Sequence, residues 1–293
     1  FQRLGRLRPQ ILGAWERVVV HAKTLNRYEP RREAILALAQ NQPPGHGTDR
    51  RSLSMLEDLA KEQVQAGFLA HAEESFRLLY RLLPEHRTAI LENISHVQVK
   101  AGRYEEAQIT LQQAIALQAS PRNRFNLAVC RLYIGHPSEA EAILRDLLPE
   151  LKNTPDQQPT ADAGRTLLAT ALAIQGRPKD LLQLLASWPE EANRQAELAA
   201  LKFQALVQLE NWKAARLELK AGMDRFAKHP LFQTAKSLPA KSLEEGLFGR
   251  KAARGILIQL AQEHRAAVLA EFRQWQGSLE AARKARAAHP GRM

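Results

Sequence analysis

Gly102-Arg103-Tyr104-Glu105-Glu106-Ala107 decides how the rest of the chain is read. A glycine tolerates the left-handed conformation in which helices stop. An aromatic follows two residues later, and Ala107 is small enough for a second helix to lie close against the first. Leu111 and Ala114 continue at helical spacing, and Pro121 closes the unit, since proline cannot continue a helix interior.

The same order recurs on both sides. Gly67 is followed by Ala72, Phe76, Leu79 and Pro84, and Gly135 by Pro137, Ala140, Leu144, Leu147 and Pro149. Gly176 is followed by Pro178, Leu181, Leu185, Trp188 and Pro189. A looser unit reads Trp212, Ala215, Leu219, Gly222 and Pro230, with Asn211 expected to continue the glycine series. The glycines are 35, 33 and 41 residues apart. A period near 34 marks paired-helix repeats. An earlier copy is expected with Trp15, Val18, Val19 and Ala22 on its first helix and Tyr28, Ile35 and Leu38 on its second, closed by Pro43; it lacks the glycine and has Arg31 where Ala is usual.

On these residues the sequence resembles the tetratricopeptide repeat family, with 102–107 close to the consensus turn and the other copies degenerate. The resemblance covers about 53–230 and implies an all-α fold, a right-handed α-solenoid of helix-turn-helix repeats. Residues 41–52 and 152–160 read as links, the second accounting for the gap of 41. From about 242 the tail reads as two further helices, with Ile256, Leu257 and Leu260 and then Val268, Phe272 and Trp275 at helical spacing. A helical C-terminal cap is expected there, because a stack of repeats must cover its last apolar face. Three segments follow: a basic helical one over 1–52, the repeat array over 53–235, and a basic cap over 236–293.

The chain has 293 residues and a net charge of +11. The ends, 1–52 and 236–293, each carry +6, whereas 53–235 carries −1. A uniform nucleic-acid groove would not be built this way. The single cysteine, Cys130, rules out an intrachain disulfide and, lying on a first helix, reads as a buried structural thiol. The cytoplasm is the expected compartment, with envelope association as the alternative. The chain starts at Phe1 beside arginines, as expected if a signal or anchor has been removed or the sequence is a fragment. The nine histidines show no metal-ligand spacing, and no phosphate-binding loop or Gly-x-Ser-x-Gly occurs. No catalytic residue, metal or cofactor is expected.

The resemblance implies a protein-interaction scaffold whose first helices line a concave face. Counting back from each glycine places Glu57 and Lys61, then Asn93, His96 and Lys100, then Arg122, Phe125, Asn126 and Tyr133 on that face. Asn93 and Asn126 share one repeat position. In the family such asparagines can clamp the backbone of an extended peptide, since an amide both donates and accepts; chance coincidence on a solvated face is the other reading. The family's carboxylate-gripping pattern is not matched: Glu57, Lys61 and Asn126 stand where Lys, Asn and Arg are required. The expected partner is a protein or peptide, in a secretion, pilus, polysaccharide or other envelope assembly. A regulator contacting nucleic acid or another anionic surface through the basic ends, and the non-catalytic repeat region of a larger enzyme, are the alternatives.

Overall fold

A computed structural model describes residues 12–24, 27–40, 50–153, 158–189, 194–238 and 254–270. Its regular elements are α-helices and two 3-10 turns, Pro84–His86 and Glu150–Asn153. The chain divides into two compact units, Phe1–Ala119 and Ser120–Met293. The first contains α1 (Leu12–Thr24), α2 (Tyr28–Gln40), α3 (Arg50–Gln65), α4 (Leu69–Leu82), α5 (Arg87–Lys100) and α6 (Tyr104–Leu117). The second contains α7 (Pro121–Tyr133), α8 (Pro137–Leu147), α9 (Gln158–Ile174), α10 (Pro178–Ser187), α11 (Ala196–Gln208), α12 (Trp212–Arg225) and α13 (Pro230–Ser237), then α14, over 254–270. In each unit consecutive helices form hairpins that stack on their neighbours in chain order.

One device ends the first helix of five hairpins. Gly67, Gly102, Gly135 and Gly176 have φ between 69° and 90°, and Glu210 has φ 56°. At each stop two backbone bonds close the helix. Gly102 N–H donates to Val99 O and Arg103 N–H to Gln98 O, and the corresponding pairs recur at 67, 135, 176 and 210. These bonds satisfy carbonyls that the helix end would otherwise leave open. The fifth stop therefore falls on Glu210, one residue before the expected Asn211. The Asn211 side chain instead caps α12, accepting from Ala214 N–H.

Counted from these stops, the interior is regular. Five residues on stand Ala72, Ala107, Ala140, Leu181 and Ala215, each at most 1 % exposed. Nine on stand Phe76, Leu111, Leu144, Leu185 and Leu219, also buried. Small side chains at the first position let the two helices approach, and large ones at the second fill the space between hairpins. Each such leucine contributes about 1.5–3 kcal/mol by leaving water. The early copy shares this plan: Ile35 and Leu38 are buried with Trp15, Val18 and Leu56 in one cluster. Arg31 turns outward to Glu62, 2.5 Å away.

Proline starts helices more often than it stops them. Pro121, Pro137, Pro178 and Pro230 occupy the first turns of α7, α8, α10 and α13. Their missing N–H lies there among groups that have no intrahelical partner. Pro230 thus opens a helix instead of only closing the fifth unit. The links are shorter than expected, because α3 begins at Arg50 and α9 at Gln158. Of the expected cap, α14 is described: Leu257, Leu260 and Ala261 pack with Phe203, Leu219 and Phe232. Val268, expected on a second tail helix, lies on α14 itself, which runs unbroken over 254–270; Phe272 and Trp275 lie outside the described residues, as does Pro43.

Candidate functional site

The first helices bury one side and expose the other. On α3, Leu53, Leu56, Leu59 and Ala60 are buried, whereas Glu57 and Lys61 are exposed and paired at 2.7 Å. On α5, Ile90, Leu91, Ile94 and Val97 are buried; Asn93 is half-buried, and His96 and Lys100 are exposed. On α7, Arg122 is exposed and Asn126 half-buried. Phe125 and Tyr133 are half-buried too, but both pack against the cluster of Leu132, Leu144, Leu148 and Leu168. Their rings therefore give part of their surface to the interior. Asn93 and Asn126 each lie nine residues before a positive-φ glycine. Among the described residues neither amide is engaged by another side chain.

Beneath these faces in the first unit runs a buried polar relay. Ser75 Oγ donates to Gln63 Oε1 at 2.9 Å, and Thr110 Oγ1 donates to Gln98 Oε1 at 2.9 Å. Both bonds join the two helices of a hairpin at the same repeat position. Gln98 Nε2 donates onward to Glu73 Oε1 at 3.1 Å. Burial pushes the Glu73 carboxyl up, but hydrogen bonds from Arg103 and Arg77 outweigh it and hold the group below its ordinary range. Glu141 repeats the arrangement in the second unit: burial raises it, while Gln175, Arg145 and Arg177 bring it down further. In both cases an arginine just after the glycine stop, Arg103 or Arg177, reaches the carboxylate of the preceding hairpin.

Two equivalent clefts open between successive second helices. One, of about 810 Å³, lies between α4 and α6 over α5 and is lined by Glu73, Arg77, Arg103, Thr110 and Gln113 among others. The other, of about 740 Å³, lies between α10 and α12 over α11 and is largely apolar, with Leu182, Leu185, Trp188, Leu198 and Leu217. Cys130 is fully buried, and burial pushes its thiol up to about 12. A thiol so protonated is no nucleophile at neutral pH.

Sequence reasoning missed one further cluster. Glu197 on α11 meets His229, which caps α13, at 3.0 Å. It also meets His264 on α14 at 3.5 Å. Hydrogen bonds from His229 and His264 hold the Glu197 carboxyl down at about 2. His264 Nδ1 lies 3.1 Å from Gln204 Oε1, and His229 Nδ1 is buried without a partner. The separations from 197 to 229 and from 229 to 264 are close to the repeat period, which is the signal that could have joined them.

No family model matches the sequence, and no curated protein does. Solved structures share its fold. PilW, described as a widely conserved type IV pilus biogenesis factor, superimposes with TM-score 0.53 at 18% identity, over 78% of this chain and 99% of that one. YrrB, described as a TPR protein with an unusual peptide-binding site, gives TM-score 0.51 at 17% identity, over 65% and 94%. Pseudomonas aeruginosa PilF gives 0.51 at 16%, over 79% and 98%. Five helix stops of one kind, the alanine and leucine positions counted from them, and these likenesses together identify the chain as an α-solenoid with the tetratricopeptide repeat fold in degenerate copies.

Proposed function

We propose that the chain is a non-catalytic interaction scaffold, and that the exposed sides of its first helices take up an extended segment of a partner protein. The observation that carries this is made in each unit by itself: Asn93 in the first and Asn126 in the second hold the same repeat position, half-exposed, each with an amide that no other side chain engages. Such an amide can donate to one backbone carbonyl and accept from one N–H of a guest strand. Glu57, Lys61, His96, Lys100 and Arg122 supply charge and polarity around them, and the exposed edges of Phe125 and Tyr133 supply apolar contact. The description of PilW as a type IV pilus biogenesis factor supports an envelope assembly as the setting, and that of YrrB as having a peptide-binding site supports a peptide as the ligand class.

The test is capture of partners from native lysate by the wild-type chain, by Asn93→Ala/Asn126→Ala, and by Leu217→Asp, each checked for helicity. A partner retained by Leu217→Asp and lost with the double alanine variant supports the first-helix face. A partner lost only with Leu217→Asp moves binding to the apolar cleft and overturns the assignment.

A further inference from the structure

We infer that Glu197, His229 and His264 form a binding site for a divalent metal ion of the zinc type, tying α14 to α11 and to the start of α13. The three donors come from three separate segments, and their ligand atoms all lie within 4.8 Å of one another. Glu197 Oε2 is 3.0 Å from His229 Nε2, and Glu197 Oε1 is 3.5 Å from His264 Nε2. Donor atoms about 2.0–2.2 Å from a tetrahedral zinc sit about 3.3–3.5 Å apart. Each histidine is therefore near the bound spacing to one oxygen of the carboxylate, and binding one ion draws the three donors inward from a span of up to 4.8 Å.

The partners of His264 are arranged as a metal ligand needs them. Gln204 Oε1 lies against Nδ1, and the other ring nitrogen, Nε2, is turned toward the Glu197 carboxylate. In the metal-free chain a proton on Nε2 joins the two groups, and a metal ion bound by both would take the place of that proton. Gln204 is 3 % exposed and also fixes the ring's orientation, which is what an outer hydrogen-bond partner does for a metal-bound histidine. Two imidazoles and one carboxylate suit zinc better than magnesium or calcium, which prefer oxygen ligands throughout. The His229 and His264 side chains are 12% and 6% exposed and Glu197 is 39% exposed. A fourth position thus stays open on the Glu197 side for water.

The experiment uses the chain stripped with a chelator, dialysed, and titrated separately with Zn²⁺ and Co²⁺. Calorimetry should show one equivalent of Zn²⁺ per chain, Co²⁺ should give the visible bands of a four-coordinate nitrogen–oxygen site, and Zn²⁺ should raise the melting temperature. His229→Ala and His264→Ala should each weaken Zn²⁺ at least about 100-fold and Glu197→Gln at least about 10-fold. Gln204→Leu should weaken it about 10-fold at unchanged stoichiometry. His86→Ala should bind as wild type. Should a histidine variant fail to fold, Glu197→Gln decides, since it keeps the shape of the site. A folded wild type without saturable one-equivalent uptake overturns the site and leaves a proton as the cation. Uptake undiminished in Glu197→Gln or in the histidine variants overturns it as well.

Discussion

The hairpins α3/α4 and α5/α6 hold their two helices together with buried amides, whereas α9/α10 does the same work with leucines. Four residues before the helix stop stand Gln63 and Gln98 in the first unit, each bonded to a hydroxyl on the second helix, Ser75 or Thr110. The corresponding position of α9/α10 is Leu172, and the residue opposite is Leu184. One scaffold thus accepts either solution, provided both members of a position change together. A buried amide with its partner is nearly neutral, and one without its partner is costly.

The largest expected effects break the apolar side. Leu172→Gln places an amide opposite Leu184, where nothing accepts it, and should cost about 3 kcal/mol in denaturant unfolding. Gly222→Ala should cost a similar amount, about 3 kcal/mol. A Cβ there would sit 2.2 Å from Phe232 Cε1. Position 222 is twelve residues past the stop, where the other hairpins carry Leu79, Ala114, Leu147 or Trp188. The ring of α13 occupies the space that a side chain fills elsewhere.

On the polar side, Gln98→Leu leaves the Thr110 hydroxyl without its acceptor, takes one donor from Glu73 Oε1, which keeps Arg77, and should cost about 2 kcal/mol. Gln98→Leu/Thr110→Val should recover at least half of that. A double-mutant cycle measures the coupling; purely additive losses would show that the two helices are not joined by this bond.

Acid should act alike on the two units. Glu73 has a lowered carboxyl in the folded chain, so its contribution is complete above its ordinary value of 4.5 and is lost as pH falls through the folded value. Stability should therefore drop below about pH 4.5, and Glu73→Gln should flatten that drop in a series of urea melts. Glu141→Gln should do the same in the second unit, because Arg145 and Arg177 lower its carboxyl in the same direction. A Leu184→Ala control loses stability without changing the slope against pH.

How much of this was legible depended on whether one residue or several carry the signal. The glycine period, the alanines after it and the buried leucines belong to single repeat positions, so the chain displays them in order. The same counting put Asn93 and Asn126 at one repeat position, and both are half-exposed. The Glu73–Arg103 and Glu141–Arg177 links were missed because charged residues are everywhere on exposed faces, and only packing separates a buried carboxylate from a solvated one. Glu197, His229 and His264 come from α11, the cap of α13 and α14. No local motif holds them, since three segments must fold before the side chains meet. Phe125 and Tyr133 were assigned to the concave face by position alone, and packing against Leu132, Leu144, Leu148 and Leu168 covers part of each ring.

The misplaced fifth stop gives the smallest and sharpest test. Four stops use glycine, for which the left-handed region carries no penalty. The fifth forces Glu210 to φ 56° with the same two backbone bonds, Glu210 N–H to Val207 O and Asn211 N–H to Leu206 O. The bonds at Glu210 must therefore offset a strain of about 1 kcal/mol. Glu210→Gly should stabilise the chain by up to about 1 kcal/mol, less the entropy that a glycine adds to the unfolded state. Gly67→Ala should destabilise it by about 1 kcal/mol for one reason only. No atom lies within 4 Å of a Cβ at that position, so the loss comes from φ +80° and not from a clash. Opposite signs at 210 and 67 in matched thermal melts would establish that one turn geometry runs through the array. A loss at both would mean that the Glu210 side chain holds its turn by a contact outweighing its backbone strain.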